Sequence, residues 1–359
     1  MHYDANAYKV LFPAEAAPGI HTLEPAEDGY HHQEGRDSFE WWYFDVKLDD
    51  GGWLVIVFHS ALFNLGDHIP TLDMRYYPPQ APPIIQFTRY PQGDCSFSEH
   101  QCAVQMGTSR IETTEGEYHI QAEAGSLRVD LTLKPLLAPI KIGSGHLFAA
   151  PECGHVFNWV IPLLKAQAEG ELHVAGQCRR ISGLGYHDHN WGNFYLPLAF
   201  QGWTWGRVWS EEDTLVFGDV VGRGIPEPRV RPLILAQKGK PAQAQKELRL
   251  QKLGSPATFR LEAALSETPC SLTVTSTRLL DAVTFPALRP LWAGRLRLQA
   301  ERLFYATMGL PGIGRIVGAL LGRTTYLRRE VSGALALGAK IAPVQGVVEE
   351  MRFRRRLSP

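Results

Sequence analysis

The sequence is poor in the features that mark several large protein classes. Only five cysteines occur among its 359 residues, and no two of them form a Cys-x-x-Cys pair. This argues against a disulfide-rich secreted framework and fits reduced thiols in the cytoplasm. Basic and acidic residues nearly cancel, 36 against 37, which leaves a formal net charge of -1. No overall positive field therefore exists to hold nucleic acid or another polyanion.

Long apolar runs and targeting signals are also missing. The most apolar segment, 310–321, is shorter than the roughly 20 residues that a membrane-spanning helix needs. The first residues have neither a basic start nor an apolar run, so we predict no signal peptide and a cytoplasmic location. Four arginines near the end of the chain leave a peripheral membrane contact open, through which an apolar substrate would be delivered. They are Arg352, Arg354, Arg355 and Arg356.

Sequence motifs of the common enzyme classes are absent as well. The chain lacks a Gly-x-Ser-x-Gly elbow, a phosphate-binding glycine loop and a dinucleotide fingerprint. Ordinary hydrolase, kinase and dehydrogenase functions therefore lose support.

Aromatic residues, by contrast, are plentiful, with nine tryptophans, twelve tyrosines and sixteen phenylalanines. Such a load fills large β cores or lines a pocket for a flat apolar ligand. Two aromatic and β-branched runs around Asp49-Asp50-Gly51-Gly52 predict a hairpin over 38–60, whose second strand is apolar on both faces and should be covered on both sides. Further short runs predict an all-β protein. They cover 84–90, 117–122, 127–133, 156–161, 171–178, 201–210 and 214–221.

The length suggests two domains on the usual range of about 100–200 residues for each. We predict an irregular N-terminal arm over 1–35 that contains no helix. A first β domain follows over 36–195, and a second over 196–359.

The segment 183–192 is the densest in chemically capable side chains. In an extended strand, alternate side chains point to opposite faces. His187, His189 and Trp191 would then share one side. Tyr186, Asp188 and Asn190 would share the other. The structural alternative is a glycine-bounded turn whose polar groups satisfy one another.

Asp219 is the second candidate, because it falls in an apolar row with Leu215 and Phe217 in a predicted strand. A carboxyl removed from water favours its neutral form and can donate a proton. The alternative is that Asp219 accepts hydrogen bonds from the backbone or from Arg223. His189 could orient such an acid.

Tryptophans near both candidates supply ring faces that could stabilise a cation. Trp191 is one of them. Trp203 and Trp205 lie in a stripe with Arg207 and Trp209, and the alternative to a binding role for this stripe is ordinary core packing. A metal on His187 and His189 lacks a clear third ligand, because Cys153 and His155 are distant in sequence and Cys178 is alone. We therefore predict no metal.

Two stretches resemble the carotenoid 1,2-hydratase family, also called hydroxyneurosporene synthase-like. They are Glu40-Trp-Trp-Tyr-Phe-Asp45 and Gly185-Tyr-His-Asp-His-Asn-Trp-Gly192. AttH-like proteins are relatives of that family, and fungal pericyclases of the Diels–Alderase type are similar in fold. The resemblance implies two lipocalin-like antiparallel β-barrel or sandwich domains with an apolar pocket at or near their interface. It also implies that no organic cofactor is required.

The resemblance further implies an acid-catalysed addition of water to a polyene or isoprenoid, a hydrophobic small molecule. The family's His-x-Trp element is matched by His189-Asn190-Trp191. Its Tyr-x-Asp element is matched by Phe217-Gly218-Asp219, with Phe in place of Tyr. Asp219 and His189 would be catalytic. The expected substrate-binding residues are Trp41, Tyr186, His187, Asp188, Asn190, Trp191, Trp203, Trp205 and Phe217.

Two alternatives remain open. The same pocket could belong to a cofactor-free pericyclase that folds a linear polyene into a reactive shape. It could also belong to a carrier that releases a hydrophobic ligand unchanged, since a fold does not determine a function.

Overall fold

The computed structural model shows two compact β units, which we call the N-terminal unit and the C-terminal unit. Their described parts end at Phe194 and begin at Leu196, respectively. The structure describes residues 20–33, 38–62, 68–150, 154–194, 196–223, 227–245, 248–265, 268–286 and 323–354.

The N-terminal unit is one antiparallel sheet. Its strands are β1 Ile20–His21, β2 Phe39–Leu48, β3 Trp53–Ala61, β4 Thr71–Tyr77, β5 Ile84–Arg89, β6 Cys95–Phe97, β7 Val104–Met106, β8 Ser109–Thr114, β9 Glu117–Ala124, β10 Leu127–Pro135, β11 Ile140–Ala150, β12 His155–Val174 and β13 Gln177–Gly192. The strand order is β5-β4-β3-β2-β13-β12-β10-β9-β8-β7-β6, and β11 pairs with β1 and β12. Short 3-10 turns occupy Pro25–Asp28 and Gln92–Asp94.

The predicted hairpin between β2 and β3 is confirmed. Asp50 accepts a hydrogen bond from the backbone N–H of Gly52 at 2.8 Å, and Gly51 has a φ of 90° that favours glycine. Every residue of Trp53–Ala61 is buried, as the two-sided apolar pattern of this strand predicts.

The core of the N-terminal unit shows that its sheet curls. Side chains from strands near one end of the sheet, such as Phe58 and Met74, share one hydrophobic cluster with Val104 and Ile111 from the other end. In β9 and β10 buried residues alternate with more exposed ones, so these strands bury one face and leave the other accessible. The sheet thereby encloses its own core.

Two expectations for this unit are wrong. A continuous strand over 171–178 was expected, but residues 175 and 176 form the tip of the β12–β13 hairpin. Ala175 and Gly176 have φ values of 50° and 81°, which match a two-residue turn with positive φ at both positions. The N-terminal arm was expected to contain no helix, yet its described part includes the 3-10 turn Pro25–Asp28. Pro25 supplies the fixed φ that suits the start of this turn.

The C-terminal unit is a second antiparallel sheet. It contains the short helix α1 Leu196–Ala199 and the strands β14 Phe200–Trp209, β15 Asp213–Gly222, β16 Arg229–Val230, β17 Leu233–Gln237, β18 Gln243–Gln245, β19 Arg249–Leu253, β20 Thr258–Leu265, β21 Thr268–Pro286, β22 Arg323–Leu337 and β23 Lys340–Arg354. The order is β18-β17-β15-β14-β23-β22-β21-β20-β19, with β16 on β15. Its apolar core joins residues from both ends of this order, including Leu233 and Leu261.

The predicted all-β antiparallel class is therefore confirmed. Among the described residues, no helix is long and apolar enough to cross a bilayer.

Candidate functional site

The segment 183–192 lies in β13 as an extended strand paired with β2, so it is not the glycine-bounded turn of the alternative. His187 pairs with Phe44 and His189 pairs with Trp42, and both partners belong to the hydrophobic core. The histidines therefore face the core, and the intervening residues face the opposite side of the sheet. The predicted division of this strand into two polar faces is confirmed.

On the core side, two carboxylates meet the two histidines. His187 Nε2 lies 3.1 Å from Asp28 Oδ1, and its Nδ1 lies 3.0 Å from the carbonyl oxygen of Tyr43. His189 Nε2 lies 3.0 Å from Glu40 Oε1. Tyr118 donates its hydroxyl to Asp28 at 2.5 Å. These groups are buried, so the polar contacts must satisfy one another without bulk water.

His31 extends this cluster from the N-terminal segment. Its backbone N–H donates to Glu40 Oε1 at 2.8 Å, and its ring stacks on Trp191 with 3.7 Å between centroids. His189 stacks on Trp42 with 4.6 Å between centroids. We call Asp28, His31, Glu40, His187 and His189 the acid–histidine cluster.

The environment shifts the pKa values of two members of the cluster. Burial alone would raise the pKa of Glu40, but hydrogen bonds from His189 and His31 outweigh it and hold that pKa below its ordinary value. Burial lowers the pKa of His189 despite the opposing hydrogen bond and charge of Glu40. The direction of both shifts favours an ionised Glu40 beside a neutral His189.

On the opposite side of β13, three donors surround one carboxylate. Asp188 accepts hydrogen bonds from the Tyr186 hydroxyl at 2.9 Å, from the Asn190 amide at 2.8 Å and from the Trp159 indole at 3.1 Å. These residues are buried. Trp41 of β2 lies on the same face, because it pairs with Asn190, and it is half-buried. We call this the second face of the N-terminal sheet.

His59 also lies on the second face, opposite Trp41. Burial, and to a smaller extent the charge of Arg75, lower the pKa of His59 to about 3. Its imidazole is therefore neutral over the physiological range.

In the C-terminal unit, Asp219 accepts hydrogen bonds from Arg229 Nε at 2.7 Å and from Arg231 Nε at 3.2 Å. A second bond from Arg229 reaches the other carboxylate oxygen at 3.1 Å. The alternative partner Arg223 donates instead to the backbone oxygen of Phe353. An all-donor environment of this kind suits an acceptor carboxylate, because a protonated acid would need an acceptor for its own O–H.

Phe217 and the tryptophan stripe also belong to the C-terminal unit. Phe217 is fully buried in the apolar core and packs over Gly206, where an added Cβ would lie 2.3 Å from Phe217 Cζ. Trp203 and Trp205 are half-buried, and Trp203 meets the ring of Phe353 edge-on at 5.4 Å. His189 and Asp219 lie in different units, so their joint action stays a prediction.

The most consequential residues that the sequence interpretation missed are Asp28, His31, Glu40 and His59. Glu40 had a usable signal, because it alternates with Trp42 and Phe44 and is therefore a carboxylate in an apolar row. That is the same pattern that singled out Asp219. Asp28 and His31 lie in a segment without periodicity, so no local pattern could assign them.

Within the described part of the chain, three groups of side chains bring together atoms able to bind a metal ion within 4.8 Å of one another. Two include members of the acid–histidine cluster: the buried Asp28 and His187 with Cys102, and the half-buried His31 with the buried Glu40 and His189. The third, Glu171, His173 and Cys178, is at the β12–β13 hairpin and more exposed. Cys178, judged alone from the sequence, thus has possible co-ligands across the turn.

Comparison with solved structures gives the fold class first: an all-β fold similar to that of an AttH-type protein. The chain aligns with the AttH-type protein of Nitrosomonas europaea at a TM-score of 0.59 and 15% identity, covering 96% of this chain and 99% of that one. It aligns with CghA bound to Sch210972 at a TM-score of 0.61 and 13% identity, covering 89% of each chain. Kievitone hydratase from Nectria haematococca aligns at a TM-score of 0.55 and 13% identity, covering 97% of this chain and 94% of that one. At these identities the likeness concerns the fold alone.

Sequence comparison then identifies the family that this chain resembles, the carotenoid hydratase family CrtC, whose model matches residues 81–255. Hydroxyneurosporene dehydrogenase of Chlorobaculum tepidum is 23% identical over 253 residues, 60% of this chain and 66% of that protein. Acyclic carotenoid 1,2-hydratase of Rhodobacter capsulatus is 28% identical over 137 residues, 37% and 47% of the two chains. The alignments thus span less than two thirds of either relative. They confirm the resemblance predicted from the sequence and support the prediction that the chain is an enzyme.

Proposed function

We propose that this protein is a hydratase that adds water across a carbon–carbon double bond of a hydrophobic polyene or isoprenoid. The observation that carries the proposal is the extent of the family match. Residues 81–255 include both His189-Asn190-Trp191 and Phe217-Gly218-Asp219, the two elements to which the resemblance assigns the reaction.

The reaction needs three things from the protein. An acid gives a proton to one alkene carbon, and the π electrons form the new C–H bond and leave a cation on the more substituted carbon. Aromatic ring faces stabilise that cation. A positioned water attacks it and then loses a proton, which yields a tertiary alcohol and restores the acid.

The proposal assigns these roles to Asp219 as proton donor and Trp191 as ring face, with His189 helping to position the water. Arg229 and Arg231 now donate to the Asp219 carboxylate. Donation of a proton therefore requires Asp219 to become protonated and to release at least one arginine contact. A substitution at Arg229 therefore tests whether Asp219 is a proton donor or only one partner of a structural ion pair.

The test is to incubate the protein with acyclic carotenoids and shorter isoprenoid polyenes and to follow products by mass spectrometry. We expect a product heavier by one water. Asp219→Asn should reduce the rate by about 10²–10⁴-fold, the usual contribution of a general acid. Arg229→Gln removes one of the two donors that bind the Asp219 carboxylate, so it should not lower the rate as Asp219→Asn does.

Asp213→Asn is the matched control, since Asp213 lies on the same strand and is also bound by a cation, Lys340 at 3.0 Å. It should keep the activity. An Asp219→Asn rate within twofold of the wild type would contradict the proposal.

The same experiment tests a cyclase, the alternative that the fold likeness to CghA favours. A product of unchanged mass but altered retention, formed equally well by Asp219→Asn, would replace hydration by cyclisation. Substrate bound and released unchanged would indicate a carrier.

A further inference from the structure

Two imidazole nitrogens of the acid–histidine cluster are buried without a hydrogen-bond partner among the described residues. They are the Nδ1 atoms of His31 and His189. His189 is fully buried, so no bulk water can satisfy its nitrogen. Buried polar atoms are nearly always paired, and an unpaired one points to a missing group.

His189 has a second difficulty, because each of its ring nitrogens faces a carboxylate. Nε2 lies 3.0 Å from Glu40 Oε1, and Nδ1 lies 3.4 Å from Asp28 Oδ1. A neutral imidazole carries only one N–H. If the hydrogen is on Nε2, the lone pair of Nδ1 points towards another acceptor. A cation at either nitrogen removes this conflict.

The arrangement around Glu40 selects the position of that cation. Glu40 Oε1 lies 3.0 Å from His189 Nε2 and 3.6 Å from His31 Nδ1. Metal–ligand distances of about 2.0–2.1 Å in a tetrahedral Zn²⁺ site place neighbouring ligand atoms about 3.3 Å apart. The separations around Oε1 bracket this value.

We propose that His31, Glu40 and His189 bind one divalent transition-metal ion, most naturally Zn²⁺. Two imidazoles and one carboxylate form a His₂Glu set, which suits such ions, whereas Ca²⁺ and Mg²⁺ require oxygen ligands. The His31 side chain is 25% exposed, whereas those of Glu40 and His189 are buried, so His31 is the ligand nearest to the surface.

The residues around the three ligands fit a metal site. With the ion on Nε2, the hydrogen of His189 moves to Nδ1 and can donate to Asp28, the carboxylate–histidine–metal arrangement common in proteins. Ser60 donates to Glu40 Oε2 at 3.2 Å, which leaves Oε1 turned towards the histidines. Trp191 and Trp42 stack on the rings of His31 and His189 and hold them in place.

The experiment measures metal, not product, so it is independent of the proposed hydration. Metal content of the purified protein is determined by mass spectrometry, and the chelated protein is titrated with Zn²⁺ by calorimetry and with Co²⁺ by visible absorption. We expect one ion per chain and a tetrahedral Co²⁺ spectrum without a thiolate band. His31→Ala and Glu40→Gln should weaken binding by at least about 100-fold, more than the loss of a supporting residue.

His173→Ala is the matched control, because it removes a histidine from the exposed group at the β12–β13 hairpin, and it should bind like the wild type. Cys102→Ser controls for the neighbouring buried group and should also leave binding unchanged. If Glu40→Gln does not fold, His31→Ala decides, since that side chain is partly exposed. Absence of stoichiometric binding, equal affinity in His31→Ala, loss in His173→Ala or a thiolate band would each overturn the proposal.

Discussion

The central strand pairs of the two units, β2 with β13 and β14 with β15, differ in how they accommodate carboxylate side chains. In the N-terminal unit, the core face of β2 and β13 carries Glu40, His187 and His189 among aromatic rings. In the C-terminal unit, the corresponding face of β14 and β15 carries Leu215 and Phe217, with Phe217 lying over Gly206, and Asp219 further along the same row. The N-terminal unit thus buries carboxylates against histidines, whereas the C-terminal unit pairs the Asp219 carboxylate with two partly exposed arginines.

The contrast shows which unit bears the larger cost of burying charged side chains. Burying a charge costs several kcal/mol unless partners compensate it. The C-terminal unit limits that cost at Asp219, because the two arginine partners of this carboxylate are partly exposed. The N-terminal unit instead brings five polar residues into contact, which stability alone does not require.

The largest expected effect comes from breaking the cluster in the N-terminal core. Glu40→Ala leaves His189 and the backbone N–H of His31 without their acceptor, and we expect a loss of about 3–5 kcal/mol in the free energy of unfolding. Urea denaturation followed by fluorescence measures it. Asp219→Ala is the comparison, and should cost about 1 kcal/mol because its arginines can turn to water. Equal losses would remove the distinction between the two regions.

An intermediate effect is expected from restoring the family's tyrosine in the apolar core. Phe217→Tyr adds a hydroxyl at Cζ, the atom that lies over Gly206, so the core must shift to admit it. We expect a loss of about 1–3 kcal/mol from overpacking, measured by the denaturation midpoint. Phe87→Tyr, at a half-buried ring of β5, should be nearly neutral. A variant as stable as the wild type would show that the position has room for the hydroxyl.

An effect that is small near neutral pH concerns His59 and the pH dependence of stability. The folded pKa of about 3 lies below the ordinary 6.5, so between these values the unfolded chain binds a proton that the folded chain does not. The contribution of neutral His59 to the free energy of unfolding is complete above pH 6.5. It decreases as the pH is lowered below that value, by up to about 1.4 kcal/mol per pH unit.

His59→Phe should therefore flatten the loss of stability between pH 6.5 and 3, measured by denaturation at a series of pH values. His119→Phe, at an exposed histidine, should leave the slope unchanged. A slope in His59→Phe equal to the wild type would show that His59 gains its proton without unfolding.

Much of the local structure could be read from the sequence. The β2–β3 and β14–β15 hairpins follow from alternating aromatic and β-branched residues around acidic turns, and the two-faced strand at 183–192 follows from its period of two. The prediction of one strand over 171–178 was wrong because apolar and polar residues alternate across a tight turn as they do along a strand. Periodicity does not register a two-residue reversal.

The sequence by itself determined that the chain is all β, that His187 and His189 share a face, and that this face differs from that of Asp188. Those properties depend on neighbouring residues. Only the tertiary structure decided that Asp28, His31 and Glu40 meet the histidines and that two arginines bind Asp219. These partners lie far apart in the chain or in segments without a period, and their contacts depend on how each sheet curls around its core.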